Sequence, residues 1–156
     1  KIKIMNMLKI GEIVPNNEFI DNLGNTHSFK DYIGSKIILF FYPKANTPGC
    51  TAQACNLRDN YEKLIKKGYV IFGVSADNVS QQNRFSEKYS FQYLLIADNE
   101  KELINAFGVW GPKKFQGKEY EGIHRTTFLI DEKGIISKVI NKVKTKDHAT
   151  QIIEEI

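Results

Sequence analysis

The 156 residues include only two cysteines, four prolines, two methionines and one tryptophan. Two cysteines cannot staple a small disulfide-built scaffold, which needs several bridges. Four prolines and eleven glycines, with no repeating period, exclude collagen-like and low-complexity chains. Long apolar runs are missing too. The strongest are IILFFY at 37–42 and YVIFGV at 69–74, far short of the roughly 20 residues a membrane helix takes. The amino-terminal KIKIMNMLKI is basic, but it has neither the continuous apolar stretch nor the small-residue cleavage site of an export signal. Residues 1–7 are therefore read as an extension, and the cytoplasm as the default compartment. Charge of one sign is also scarce: 22 Lys+Arg against 18 Asp+Glu leaves +4. The lysines are scattered, with doublets at Lys66 and Lys67 and at Lys113 and Lys114. No basic stripe interleaved with aromatics is present, so these doublets read as solvated surface and no nucleic-acid partner is expected.

What remains is ordinary globular composition, 42% hydrophobic and 26% charged, enough for one domain over residues 8–156. Residues 18–29 read as a small hairpin around the turn-forming NLGN. Residues 36–42 are a continuous apolar run ended by Pro43, as expected of a strand buried on both faces. After a loop, residues 50–67 carry Ala54, Leu57, Tyr61, Leu64 and Ile65 at helical spacing, with Gly68 placed to end the helix. A second buried strand (69–76), a polar exposed helix (80–89), a short strand (94–97) and a short helix (101–107) follow. Residues 110–121, rich in Gly and Lys, are read as a loop. Strands at 126–130 and 135–140, joined by the turn DEKG, and a helix over 146–156 complete the chain. Strand–helix–strand crossovers give parallel pairs and tight turns antiparallel ones. The predicted class is α/β: a thioredoxin-like fold with a mixed central sheet, helices on both faces and an amino-terminal β-hairpin.

The chemistry is concentrated in FYPKANTPGCTAQACNLRD, residues 41–59, which holds both cysteines. Cys50 follows Pro48 and Gly49 at the start of a helix, after the carboxyl end of a buried strand, where open α/β sheets build their sites. The first N–H groups of a helix lack internal partners and carry partial positive charge, a field that favours a thiolate. Thr47, three residues earlier, can cap the helix or donate to a bound ligand. Cys55 lies five residues along the same helix, which puts the two Cα atoms about 8–9 Å apart. A disulfide needs about 7 Å or less, so bonding would require the helix to unwind; otherwise Cys55 is a core residue that never bonds. One C-x4-C and three scattered histidines, His27, His124 and His148, do not form a zinc set, so no metal is expected. The C-x-x-C of a dithiol exchange protein is absent. Trp110 is read as a packing anchor, His124 as a structural histidine, and Asp77 and Asp98 as caps.

The string P-x-x-x-T-x-x-C, Pro43 to Cys50, resembles the active-site motif of peroxiredoxins. The fuller YPKANTPGCTAQACNLRD is similar to the bacterioferritin comigratory protein, or peroxiredoxin Q, subfamily, as are FGVSAD (72–77), FGVWG (107–111) and GIHRTTFLID (122–131). The likeness spans residues 8–156 and departs nowhere from the motifs. It implies that Cys50 is the peroxidatic nucleophile and Cys55 the resolving thiol that joins it in an intramolecular disulfide. It further implies that Thr47 bonds the peroxide and the thiolate, that Pro43 shields the site, and that Arg125 pairs with both thiolate and peroxide. The resemblance implies an antioxidant peroxidase for hydrogen peroxide and organic hydroperoxides, without metal, haem or flavin, reduced by a thioredoxin-like dithiol protein. An intramolecular pair needs no second subunit, so a monomer is expected. A thiol–disulfide oxidoreductase acting on proteins and a redox sensor are the competing readings.

Overall fold

A computed structural model describes residues 6–156. The extension expected at 1–7 therefore falls mostly outside the described residues; Met7 packs against the core. Five strands form the central sheet in the order β5-β4-β3-β8-β9. They are β3 (Lys36–Phe41), β4 (Tyr69–Ser75), β5 (Leu94–Ala97), β8 (Thr126–Ile130) and β9 (Ile136–Ile140). β3 runs parallel to β4 and β4 to β5, whereas β8 is antiparallel to both β3 and β9. The sheet is mixed, as the connection lengths demand.

Side chains alternate across a strand, and β3 divides its run accordingly. Ile37, Leu39 and Phe41 enter one core cluster, where they meet Leu103, Ile104 and Phe107 of α4 (Glu102–Phe107) and Phe19 of the hairpin β1 (Glu18–Ile20) and β2 (Thr26–Ser28). Ile38, Phe40 and Tyr42 enter the other, against four helices. These are α1 (Pro48–Asp59), α2 (Tyr61–Lys66), α3 (Val79–Tyr89) and α5 (His148–Glu154). Ile37 to Phe41 are all at most 2% exposed, which is why the run is unbroken rather than alternating.

Four expectations change in detail. The helix read over 50–67 is two helices that meet at Asn60, whose side-chain amide donates to the Asn56 carbonyl at 2.8 Å. Asn60 itself leaves helical geometry, at φ -111 and ψ 15, and so separates the two helices. The stretch read as a loop at 110–121 is instead a hairpin of β6 (Trp110–Phe115) and β7 (Lys118–Ile123). Its two-residue turn places Gln116 at φ 50 and Gly117 at φ 79, the pair of positive values that a type I′ turn requires. The polar helix α3 is not exposed all round: Gln82, Phe85 and Ser86 are buried. Asp77 is not a cap. Asn78 caps α3 by accepting from the Gln81 N–H at 2.8 Å, and Asp77 serves the loop described below. Asp98 does cap, accepting from the Leu103 and Ile104 N–H groups at the head of α4.

The carboxyl-terminal helix is locked by a buried histidine. His148 is 0% exposed, with Nε2 2.7 Å from the Thr127 hydroxyl and Nδ1 2.8 Å from Gln151 Oε1. Burial, helped by the nearby Arg125 charge, pulls its pKa down to about 4. The imidazole is neutral in the folded state, while in the unfolded chain it takes a proton near pH 6.5. Stability from this group is therefore full above about pH 6.5, declines as pH falls and is fully lost below about 4, a change of about 3 kcal/mol. Acid titration of the melting temperature is expected to show a smaller drop between pH 7 and 4 in His148→Gln than in the wild type.

Candidate active site

The sheet topology assembles the site. β3 and β8 are antiparallel neighbours in which Phe41 pairs with Thr126. The exit of β3, leading through Pro43 to α1, thus lies beside the entry of β8, which Arg125 immediately precedes. Two residues 75 positions apart are thereby brought together: Arg125 Nη1 donates to Cys50 Sγ at 3.5 Å and to Gln53 Oε1 at 2.7 Å. Gly49 leaves room for this approach, because a Cβ there would lie 3.3 Å from Arg125 Nη2.

Cys50 is the third residue of α1, after Pro48 at its first position. Proline suits that place, having no N–H to leave unpaired. The Cys50 side chain is 1% exposed, and its own N–H belongs to the unpaired first turn with its partial positive charge. Thr47 occupies the N-cap in extended conformation but does not cap with its side chain. Instead its hydroxyl donates to the Lys44 carbonyl at 2.8 Å, which commits the proton and leaves the oxygen lone pairs free to accept.

The loop between β3 and α1 is fixed from several directions. Asp77 Oδ2 accepts from the Ala45 N–H at 2.8 Å and from the Ser75 hydroxyl at 2.5 Å. Asn46 takes the left-handed conformation at φ 63, which Asn tolerates better than most residues. Its Oδ1 accepts from the Tyr89 hydroxyl at 3.3 Å. Pro43 is half-buried at the end of this frame. Cys50, Thr47, Pro43 and Arg125 are therefore all at one end of the sheet.

Cys55 is on the same continuous helix as Cys50, and both are free thiols. Cys50 is buried and Cys55 half-exposed. Burial pushes the Cys55 thiol up; Arg58 opposes the shift and Asp59 adds to it. Cys55 therefore favours the protonated form.

Two residues of the site were not legible in the sequence. Gln53 is 0% exposed, holds Arg125 through Oε1, and leaves its Nε2 without a hydrogen-bond partner. Its spacing of three from Cys50 puts the two on one helix face, and that was the available signal. Lys113, read as solvated surface, instead folds back along its hairpin and donates to the Ile123 carbonyl at 2.9 Å. Burial lowers its pKa, the Arg125 charge adds to the lowering, and Cys50 opposes it. Lys113 thus belongs to the electrostatic surroundings of the thiol. Trp110 packs against the core and donates to Glu121 at 3.2 Å, and His124 lies 2.9 Å from the Pro112 carbonyl. Trp110 is the packing anchor expected of it. Among the described residues no group of three or more His, Cys, Asp or Glu side chains could hold a metal ion, and no helix is long and apolar enough to cross a membrane.

The arrangement is a buried thiol at a helix amino terminus with a guanidinium in contact, which can stabilise a thiolate and any anion formed beside it. Residues 10–139 match the model of the AhpC/TSA family. Peroxiredoxin Bcp of Escherichia coli (strain K12) is 44% identical over 144 residues, covering 92% of each chain. Peroxiredoxin Bcp of Bacillus subtilis (strain 168) is 44% identical over 149 residues, covering 96% of this chain and 95% of that one. Among solved structures, a bacterioferritin comigratory protein of Xanthomonas campestris, studied for its alkyl peroxide reduction activity, superposes with a TM-score of 0.85 at 28% identity over 97% of this chain and 96% of that one. A mutant PrxQ of Xylella fastidiosa reaches 0.90 at 27% identity over 96% of each. With this thioredoxin-like architecture, this site and these relatives, the chain belongs to the AhpC/TSA family, in its Bcp/peroxiredoxin Q branch, and is a peroxiredoxin peroxidase.

Proposed function

We propose that the chain reduces hydrogen peroxide and organic hydroperoxides through Cys50, with Cys55 as the resolving thiol. The observation that carries this reading is the contact of Arg125 with both Cys50 Sγ and Gln53. The Cys50 thiolate attacks the terminal oxygen of R–O–O–H. The S–O bond forms, the O–O bond breaks, and RO⁻ leaves to take a proton from water. Arg125 is permanently protonated and stabilises the charge as it passes from sulfur to the leaving oxygen. Thr47, its own proton committed to Lys44, accepts from the peroxide O–H and so orients it. Pro43 walls the site. The product, Cys50 sulfenic acid, condenses with the Cys55 thiol, releasing water and forming the disulfide.

The relative studied for alkyl peroxide reduction supports organic hydroperoxides as substrates. The disulfide is returned to two thiols by exchange with a thioredoxin-like dithiol protein, itself oxidised in the process. A cycle that returns the disulfide to two thiols suits a reducing compartment, and the cytoplasm is the compartment we assign to it. The intramolecular pair requires no second subunit, so the working unit is a monomer, a single domain over residues 8–156.

Steady-state turnover tests this reading. With a thioredoxin-like dithiol protein and excess peroxide, sustained consumption of both hydrogen peroxide and an alkyl hydroperoxide is expected. One round of oxidation with no sustained turnover would instead fit a redox sensor. Reduction of protein disulfides without peroxide consumption would fit a thiol–disulfide oxidoreductase.

A further inference from the structure

Helical geometry keeps the two thiols apart, since a separation of about 8–9 Å between Cα atoms must close to about 7 Å or less. Residues 51–55 must leave helical conformation for this to happen. The structure fastens α1 to its neighbours on both sides of Cys55. On the amino-terminal side, the Ala54 carbonyl accepts from the Tyr93 hydroxyl at 2.7 Å, a second bond beyond anything the helix itself supplies. Tyr93 is 4% exposed, stacks on Phe91 at 5.3 Å and meets Phe40 edge-on at 5.8 Å, so its hydroxyl is held in place. On the carboxyl-terminal side, Asn56 uses both ends of its amide. Oδ1 accepts from the Ala149 N–H at 2.7 Å, and Nδ2 donates to the Lys146 carbonyl at 3.1 Å. Both partners lie in the carboxyl-terminal segment, which His148 locks to β8.

Resting on the reading of Cys50 and Cys55 above, we propose that Tyr93 and Asn56 form a two-point clamp that holds the Cys55 turn in the helix and sets the rate of disulfide closure. They are positioning residues: neither touches the peroxide or the reacting sulfurs. The clamp acts after the peroxide step, because the bonds it makes are to residues 54 and 56 and not to Cys50, Thr47 or Arg125. Its consequence is chemical. Cys50 sulfenic acid either condenses with Cys55, releasing water, or meets a second peroxide molecule, which adds one oxygen to give sulfinic acid and leaves as water or alcohol. A slower closure gives the second route more time. The clamp therefore governs how much enzyme is lost at high peroxide.

Tyr93→Phe, Asn56→Ala and the double variant test this. In rapid-quench experiments with hydrogen peroxide, followed by alkylation and mass analysis, sulfenic acid formation and disulfide closure are resolved separately. Loss of one net hydrogen bond on one side of the clamp is expected to speed closure about five-fold, and the double variant more than either alone. The rate of sulfenic acid formation is expected to be unchanged, and the sulfinic fraction at excess peroxide to fall. Ser137→Ala removes a hydrogen bond to the Leu129 carbonyl on β8, away from α1. It is expected to leave closure unchanged, which separates the clamp from general loosening. Closure within two-fold of wild type in the double variant, with the Cys50–Cys55 disulfide still formed, overturns the clamp and leaves the cysteine pairing standing. Rapid oxidation of the wild type that yields no Cys50–Cys55 disulfide overturns both.

Discussion

Cys50→Ser is expected to abolish peroxide reduction, leaving consumption at the rate of buffer alone. The two sulfurs are in unequal places. Cys50 is in the first turn of α1, 3.5 Å from a guanidinium, where helix field and cation both favour the anion. Cys55 is past that turn, and burial holds it toward the thiol form. A hydroxyl at position 50 is a far weaker acid than a thiol and supplies no usable anion near neutral pH. Cys55 cannot replace it, because Arg125 does not reach that far along the helix face. The complementary Cys55→Ser variant, mixed with one equivalent of peroxide, is expected to consume it at the wild-type rate and to end as Cys50 sulfenic acid, which excess peroxide then carries on to sulfinic acid. Peroxide consumption by Cys50→Ser above about a tenth of wild type would reassign the nucleophile.

Arg125→Ala is expected to lower the second-order rate with hydrogen peroxide by about 10²–10³, the cost of removing one preorganised donor to a developing anion. Arg125→Lys should recover little, since a lysine ammonium lacks the planar fork that presents several N–H groups in fixed directions. Here one nitrogen serves both Gln53 Oε1 and Cys50 Sγ. Gln53→Ala keeps the charge and removes its anchor, so an intermediate loss is expected. Rates unchanged in Arg125→Ala would remove the arginine from the chemistry, whatever its contact with sulfur.

The parts of the fold that read directly from sequence are those where burial sets the pattern. β3 and β4 are buried on both faces, so their apolar runs announced them, and Gly68 ended the helical pattern where expected. The β6–β7 hairpin left no such trace. It forms no part of the central sheet, most of its residues are exposed, and without a buried face it has no alternation to detect. Its turn is Gln-Gly rather than the commoner Asn-Gly. Missing the hairpin also hid Lys113, whose place beside the site follows from that pairing. The two cysteines, Thr47, Pro43 and Arg125 of the candidate site were singled out through a motif, because the proposed chemistry restricts residue type and spacing. Gln53 and Asp77 act through other residues. Gln53 holds Arg125, and Asp77 holds the loop through the Ala45 N–H. Such roles depend on where a neighbouring strand delivers its partner, which one sequence does not encode locally.

The central claim is that Cys50 and Cys55 act as a peroxide-driven pair, and one single-turnover experiment tests it most directly. Fully reduced protein is mixed rapidly with one equivalent of hydrogen peroxide, and the remaining thiols are counted and the product weighed. Fast loss of both thiols, with an intramolecular Cys50–Cys55 disulfide by mass, is the predicted result. Thiol loss no faster than that of free cysteine would contradict it.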